Sequence, residues 1–163
     1  MAVVLITGMS GTGKSTALTE LARRGHRVVD TDYGGFSDEV PLEDGTGITQ
    51  VWREDRIDAL LAENPSGETL FIAGCVSNQG QFYPRFGAVV LLSAPVEVIL
   101  ERVASRTTND FGKNDVERDR IVADLATVEP ILRSGATVEI DARRPIHDVV
   151  DELEAIGGGR VHA

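Results

Sequence analysis

The run from Gly8 to Thr16 reads G-M-S-G-T-G-K-S-T. It satisfies the spacing G-x-x-x-x-G-K-[ST] through Gly8, Gly13, Lys14 and Ser15. Gly8, Gly11 and Gly13 let the backbone bend with no Cβ in the way, so the amides from Gly8 through Ser10, Thr12 and Thr16 can turn inward around a phosphate. Lys14 has the reach for β- and γ-phosphates, and the Ser15 hydroxyl suits a Mg²⁺ shell. A helix beginning near Lys14 would add its positive end to the same anion. The expected ligand is a nucleoside triphosphate.

A second group of chemistry-bearing residues follows at Asp30-Thr31-Asp32, the end of a short apolar run His26–Val29. Carboxylates at the carboxyl end of a strand in an α/β sheet stand where ligands bind, and a spacing of two points both side chains the same way. One acid would serve the water shell of Mg²⁺ (Asp30) and the other a substrate hydroxyl (Asp32); a turn with two solvated acids is the alternative. Further on, Gly74-Cys75-Val76-Ser77-Asn78-Gln79 is small and polar after an apolar run, which suits a site lining through Gly74, Asn78 and Gln79. Cys75 reads as a small buried residue rather than a nucleophile, because no cation is adjacent to it in the chain. Arg102, Arg106, Arg118, Arg120 and Lys113 bracket the polar link 107–114. They are either helix-surface charge or a lid that closes on phosphate.

These residues need a frame, and the apolar runs supply one. Val3–Ile6, His26–Val29, Thr69–Ala73, Ala88–Leu92 and Ala136–Ile140 read as strands. Helices are expected over 15–24, 48–63, 95–106, 115–132 and 145–156, with apolar residues at helical spacing. Within 48–63, Trp52 with Ile57, Leu60 and Leu61 would form the apolar face, leaving Arg53 and Arg56 as anion contacts or solvated charge. Residues 33–46 carry Gly, Pro and acids without a period and read as a mobile connection. Strands alternating with helices make an α/β protein with a mainly parallel, doubly wound sheet.

The chain has 163 residues, a length that suits one domain with its own core. We expect that domain over 1–156, with a flexible tail over 157–163. A net charge of −10, from 26 acidic and 16 basic residues, argues against coating nucleic acid or an anionic membrane. One cysteine leaves no internal disulfide framework, and no Cys/His cluster suggests zinc. With no leader and no apolar run near 18 residues, a cytoplasmic monomer or dimer is expected.

Taken together, the phosphate loop, Asp30-x-Asp32, the arginine-bracketed link and the late Asp141–Pro145 stretch resemble the small P-loop kinases, the shikimate, gluconate and adenylate kinases among them. The resemblance runs along nearly the whole chain. It implies a three-layer P-loop NTPase fold: a five-stranded parallel sheet of order 2-3-1-4-5, helices on both faces, a substrate-binding segment at about 33–64 and a lid at about 107–116. It implies ATP as cofactor with Mg²⁺, and phosphoryl transfer to a small-molecule acceptor. The alternatives are a nucleotide-binding regulatory ATPase or a nucleoside-monophosphate kinase. By resemblance, Arg102 stacks on adenine, Arg106 and Arg120 contact phosphates, and Arg143 and Pro145 lie where backbone contacts hold adenine. Asp30 serves magnesium water, Asp32 the acceptor hydroxyl, and Arg53 a substrate carboxylate. Two departures stand out: Ile72-Ala73-Gly74 lacks the aspartate of adenylate kinases, and Gly74–Gln79 replaces the triple glycine of shikimate kinases.

Overall fold

The structure, a computed structural model, describes residues 3–63, 68–107 and 112–158. The run Val3–Thr7 forms β1, buried at every position, and the following apolar runs assemble around it. β2 (Arg27–Asp30), β5 (Leu70–Ala73), β6 (Ala88–Ser93) and β7 (Val138–Asp141) join it in one parallel sheet of order β2-β5-β1-β6-β7. Counted within this sheet alone, the order is 2-3-1-4-5, as the resemblance implied. Strands covered on both faces have no polar side to show, which is why β1 and β5 are continuous apolar runs.

Alternate residues feed two cores. Val4, Ile6, Phe71, Ala73, Val90 and Leu92 pack with Leu18 and Leu21 of α1 (Lys14–Arg23), Ile99 and Val103 of α3 (Val96–Ser105), and Val149, Val150 and Leu153 of α6 (Ile146–Gly157). On the opposite face Val3, Leu5, Leu70, Ile72 and Val89 pack with Ile57 and Leu60 of α2 (Glu54–Ala62), and with Trp52, Phe82 and Phe86. Phe82 belongs to a 3₁₀ turn over Gln79–Arg85. Among the described residues, no helix is long and apolar enough to cross a membrane.

Four expectations are corrected. Residues 33–46 are not a structureless link, and 48–63 is not one helix. Ser37–Pro41 (β3) pairs antiparallel with Ile48–Trp52 (β4) as a separate hairpin, and the helix starts only at Glu54. Ile48, Thr49 and Val51 are β-branched and fit a pleated strand better than a helix. Arg53 is extended, at φ −77° and ψ 115°, and Glu54 and Asp55 place negative charge at the α2 N-terminus.

The expected helix 115–132 is two helices, α4 (Asp115–Thr127) and α5 (Glu129–Gly135). Pro130 has no N–H for a carbonyl one turn back, so the ladder breaks there. Gly157, expected in the tail, closes α6 and is buried; a Cβ on it would lie 2.7 Å from Phe71 Cζ. The tail residues 159–163 and the lid centre 108–111, Asn109 included, lie outside the described residues.

Candidate active site

The phosphate loop leaves the end of β1 and enters α1 through glycines that have no substitute. Gly11 and Gly13 have φ of 86° and 94°, and a Cβ on Gly8 would sit 2.5 Å from the Leu92 carbonyl oxygen. The buried Thr12 hydroxyl donates to Met9 O at 2.8 Å, so it ties the loop to itself. Lys14 lies across the loop: its Nζ donates to Gly8 O at 2.6 Å and Met9 O at 3.1 Å. Burial lowers the Lys14 pKa, opposed by the nearby Cys75, Asp32 and Asp30. Those two carbonyl bonds keep the ammonium at the mouth of the loop, where phosphate oxygens can take it over.

β2 delivers the carboxylates. The Ser15 hydroxyl donates to Asp30 Oδ2 at 3.2 Å, and Asp30 Oδ1 accepts the Asp32 amide at 3.0 Å. Desolvation, and then the negative charge of Asp30, push the Asp32 carboxyl upward, while Lys14 pulls the other way. All four residues line an open cleft of about 1000 Å³. An adjacent hydroxyl and carboxylate fit the all-oxygen preference of Mg²⁺. Among the described residues no group of three His, Cys, Asp or Glu could cage a metal. Magnesium would therefore lean on phosphate and water, as this cation commonly does.

The donor side joins α3 to the loop before α6. Arg102 Nη2 donates to Ala142 O at 2.5 Å, and Arg106 Nη1 to Ser10 Oγ at 3.2 Å. Burial lowers the Arg106 pKa, and both arginines line the cleft. Of the 141–145 stretch, Ala142 and Arg144 line it as well. Arg143 turns the other way, pairing with Asp141 at 2.7 Å in a separate depression beside Glu129 and Arg133. Pro145 caps α6 without joining the lining, and Arg120 lies exposed on α4, 3.8 Å from Asp124.

The acceptor-side residues are engaged by the fold. Arg53 stands 3.9 Å from Asp38 and 3.6 Å from Asp55. Asn78 holds β4 as a neighbouring strand would, its Oδ1 accepting Trp52 N at 2.8 Å and its Nδ2 donating to Trp52 O at 3.1 Å. The buried Gln79 donates to Thr7 Oγ1 and the Tyr83 hydroxyl and accepts the Val76 amide. Gly74 packs against Thr31 and Trp52. Cys75 is a free thiol packed beside Met9, Leu91 and Leu132. The structure thus gathers Lys14, Ser15, Asp30, Asp32, Arg102 and Arg106 at one cleft, and leaves Arg53, Asn78, Gln79, Arg120 and Arg143 off its lining. Sequence reasoning missed Arg144 and Tyr33, both on the lining; an Arg-Arg pair carries no sign of which member faces inward.

Comparisons with known proteins bear on the fold and the family. A shikimate kinase from Geobacter metallireducens is 28% identical over 166 residues, covering 96% of this chain and 92% of its own. An HPr kinase/phosphorylase from Bacillus mycoides is 41% identical over 93 residues, 55% of this chain. The chain spans about a quarter (27%) of that protein's length. Among solved structures, a gluconokinase from Sinorhizobium meliloti superposes with a TM-score of 0.64 at 19% identity, over 97% of this chain and 92% of its own. The fold is that of the small P-loop kinases. The AAA domain model matches residues 4–123, and the chain belongs to the AAA domain family.

Proposed function

We propose that the chain is an ATP- and Mg²⁺-dependent phosphotransferase that moves the γ-phosphate to a hydroxyl of a small-molecule acceptor. The observation that carries this is the Ser15–Asp30 contact with Asp32 two residues on, in the cleft that Lys14 enters. A site for binding alone needs the loop; the second carboxylate is what an acceptor hydroxyl requires. Phosphoryl transfer rests on alignment and charge neutralisation more than on covalent help from the protein.

In this reading the loop amides and Lys14 hold the donor phosphates, and the Lys14 ammonium exchanges its two carbonyl bonds for phosphate oxygens. Ser15 Oγ and Asp30 hold the magnesium, which supplies charge neutralisation when bound. Asp32 orients the acceptor hydroxyl and takes its proton as the new P–O bond forms and the bond to ADP breaks. Arg106 moves from Ser10 onto the γ-phosphate and helps exclude water, and Arg102 and the Ala142 backbone receive the adenine. Arg120, Arg143 and Pro145 lie off the cleft lining and have no part in this reading. The protein would act in the cytoplasm on a soluble substrate, without nucleic acid or membrane.

A coupled ADP assay with ATP and Mg²⁺ across shikimate-like acids, sugar acids, sugars, amino alcohols and nucleoside monophosphates tests this. Acceptor-dependent ADP release that Lys14→Ala abolishes is the expected result. Tight ATP binding with no acceptor stimulating release would overturn it in favour of a nucleotide-dependent switch. That second reading is supported by one observation: Asn78 and Gln79 are hydrogen-bonded within the fold and so are not free to hold an acceptor.

A further inference from the structure

Thr31 stands between the two carboxylates and takes no part in the chemistry above, yet its side chain and both of its backbone polar groups are hydrogen-bonded. It is fully buried, a polar side chain in an apolar setting. Its hydroxyl donates to Ala73 O at 2.8 Å and accepts from the indole Nε1 of Trp52 at 3.0 Å. Its amide donates to the same Ala73 carbonyl at 3.0 Å. Its own carbonyl accepts the Ser37 hydroxyl at 3.1 Å.

Ser37 and Trp52 are cross-strand partners, the pair that closes the base of the β3–β4 hairpin. Both strands of the hairpin therefore grip one residue, and that residue is the one joining Asp30 to Asp32. The grip has support of its own. Trp52 is 1% exposed, packed edge-on against Phe82 and Phe86, and its backbone is held at both N–H and C=O by Asn78.

We infer that Thr31 is a positioning residue: clamped by Ser37 and Trp52, it sets the direction of the Asp30 and Asp32 carboxylates and couples the hairpin to the metal and acceptor groups. The inference rests on the function proposed above. With two flanking peptides fixed by Thr31, a carboxylate at either side has only its own side-chain rotation left. Asp30 uses that freedom to meet Ser15, and Asp32 points into the cleft. The hairpin stands where the resemblance implied a substrate-binding segment, so a ligand that moves β4 would be felt at Asp30 through a single buried hydroxyl.

The test reads magnesium linkage, which needs no acceptor. ADP affinity of the full chain is measured by calorimetry with Mg²⁺ and with EDTA, for the native protein, Thr31→Val, Thr31→Ser and Trp52→Phe. Valine keeps the shape and removes the hydroxyl; serine keeps the hydroxyl; phenylalanine keeps the ring cluster and removes the N–H donor. The expected result is that Thr31→Val and Trp52→Phe leave ADP binding in EDTA unchanged, and weaken binding in Mg²⁺ by about fivefold, the scale of one lost neutral hydrogen bond. Thr31→Ser should restore it. Native magnesium dependence in both Thr31→Val and Trp52→Phe would overturn the inference, as would an equal loss in EDTA, which is the mark of a merely structural role. A native chain with no magnesium effect would instead overturn the metal assignment of the proposed function, and this coupling with it.

Discussion

The Ser15 hydroxyl meets Asp30 Oδ2 at 3.2 Å although β5 lies between β1 and β2 in the sheet. The carboxyl end of β5, Ala73 followed by Gly74, therefore lies between the strand that leads into the phosphate loop and the strand that carries Asp30. Asp30 is in register with Ala73, and Gly74 donates its amide to Ile6 O in β1. The order β2-β5-β1 thus sets the carboxylates one strand away from the phosphate loop, and the side chains of Ser15 and Asp30 bridge that distance.

Lys14→Ala should remove acceptor-dependent ADP release, by at least about 10²-fold, the scale seen when one preorganised charge-stabilising donor is lost. The cost to the fold should stay small, because its two bonds go to loop carbonyls at the surface of the core. Turnover and a circular-dichroism melt of the same sample separate the two effects.

Asp32→Asn should keep ATP binding and lose transfer. The Asp32 pKa is raised by desolvation and by Asp30, so the folded state favours its neutral form. The stability this group contributes is present below its ordinary pKa and is lost as pH rises through the raised one. Asn is neutral throughout, so the variant should melt higher than the native chain near neutral pH while being inactive. With the native chain, the proposed transfer should rise with pH along a limb displaced above the usual carboxylate range. A pH–rate profile and melts of both proteins check the pair.

Much of this was readable beforehand. The phosphate loop announces itself because glycine is demanded by backbone angle and by contact at once, as at Gly11, and no other residue satisfies both. The central strands β1, β5 and β6 are readable because parallel strands buried on both faces leave continuous apolar runs. The hairpin was not. Val51, Trp52, Ile57, Leu60 and Leu61 imitate a helical stripe, and the strand is distinguished only by β-branched Ile48, Thr49 and Val51 after Asp44-Gly45. Asn78 and Gln79 read as ligand contacts because polar residues after a buried strand suit a site; in the fold they satisfy backbone and hydroxyl groups that a short hairpin and a 3₁₀ turn leave open.

The far end of α1 is tied to α6 by charge. Arg24 bonds Glu20, Asp151 and Glu154, and His26 meets Glu154 at 2.6 Å. Arg23 and then Arg24 hold the Glu20 carboxyl at about 2, and His26 and then Arg24 lower that of Glu154. Both are depressed carboxylates, so their contribution is present above the ordinary value of 4.5 and fades as pH falls toward about 2. Melts across that window should lose stability in the native chain, by a modest amount because solvent screens these surface pairs. Arg24→Ala should start lower and fall less; equal slopes would show that the network carries no linkage.

Gly74→Ala should destabilise the protein through the same residue that joins the two carboxylates. A Cβ at Gly74 would lie 2.3 Å from Thr31 Oγ1 and 3.2 Å from Trp52 Cζ2. The hydroxyl cannot retreat, being held by Ala73 O and the indole N–H. Overpacking of this kind costs about 1–3 kcal/mol, read as a lower urea midpoint. A cycle with Thr31→Ala separates contact from general strain, because that change removes the clashing oxygen and opens the space a methyl needs. The double variant should lose less stability than the two single losses added together. Strict additivity would mean that the methyl is accommodated by moving Trp52, and that Gly74 and Thr31 do not compete for the same volume.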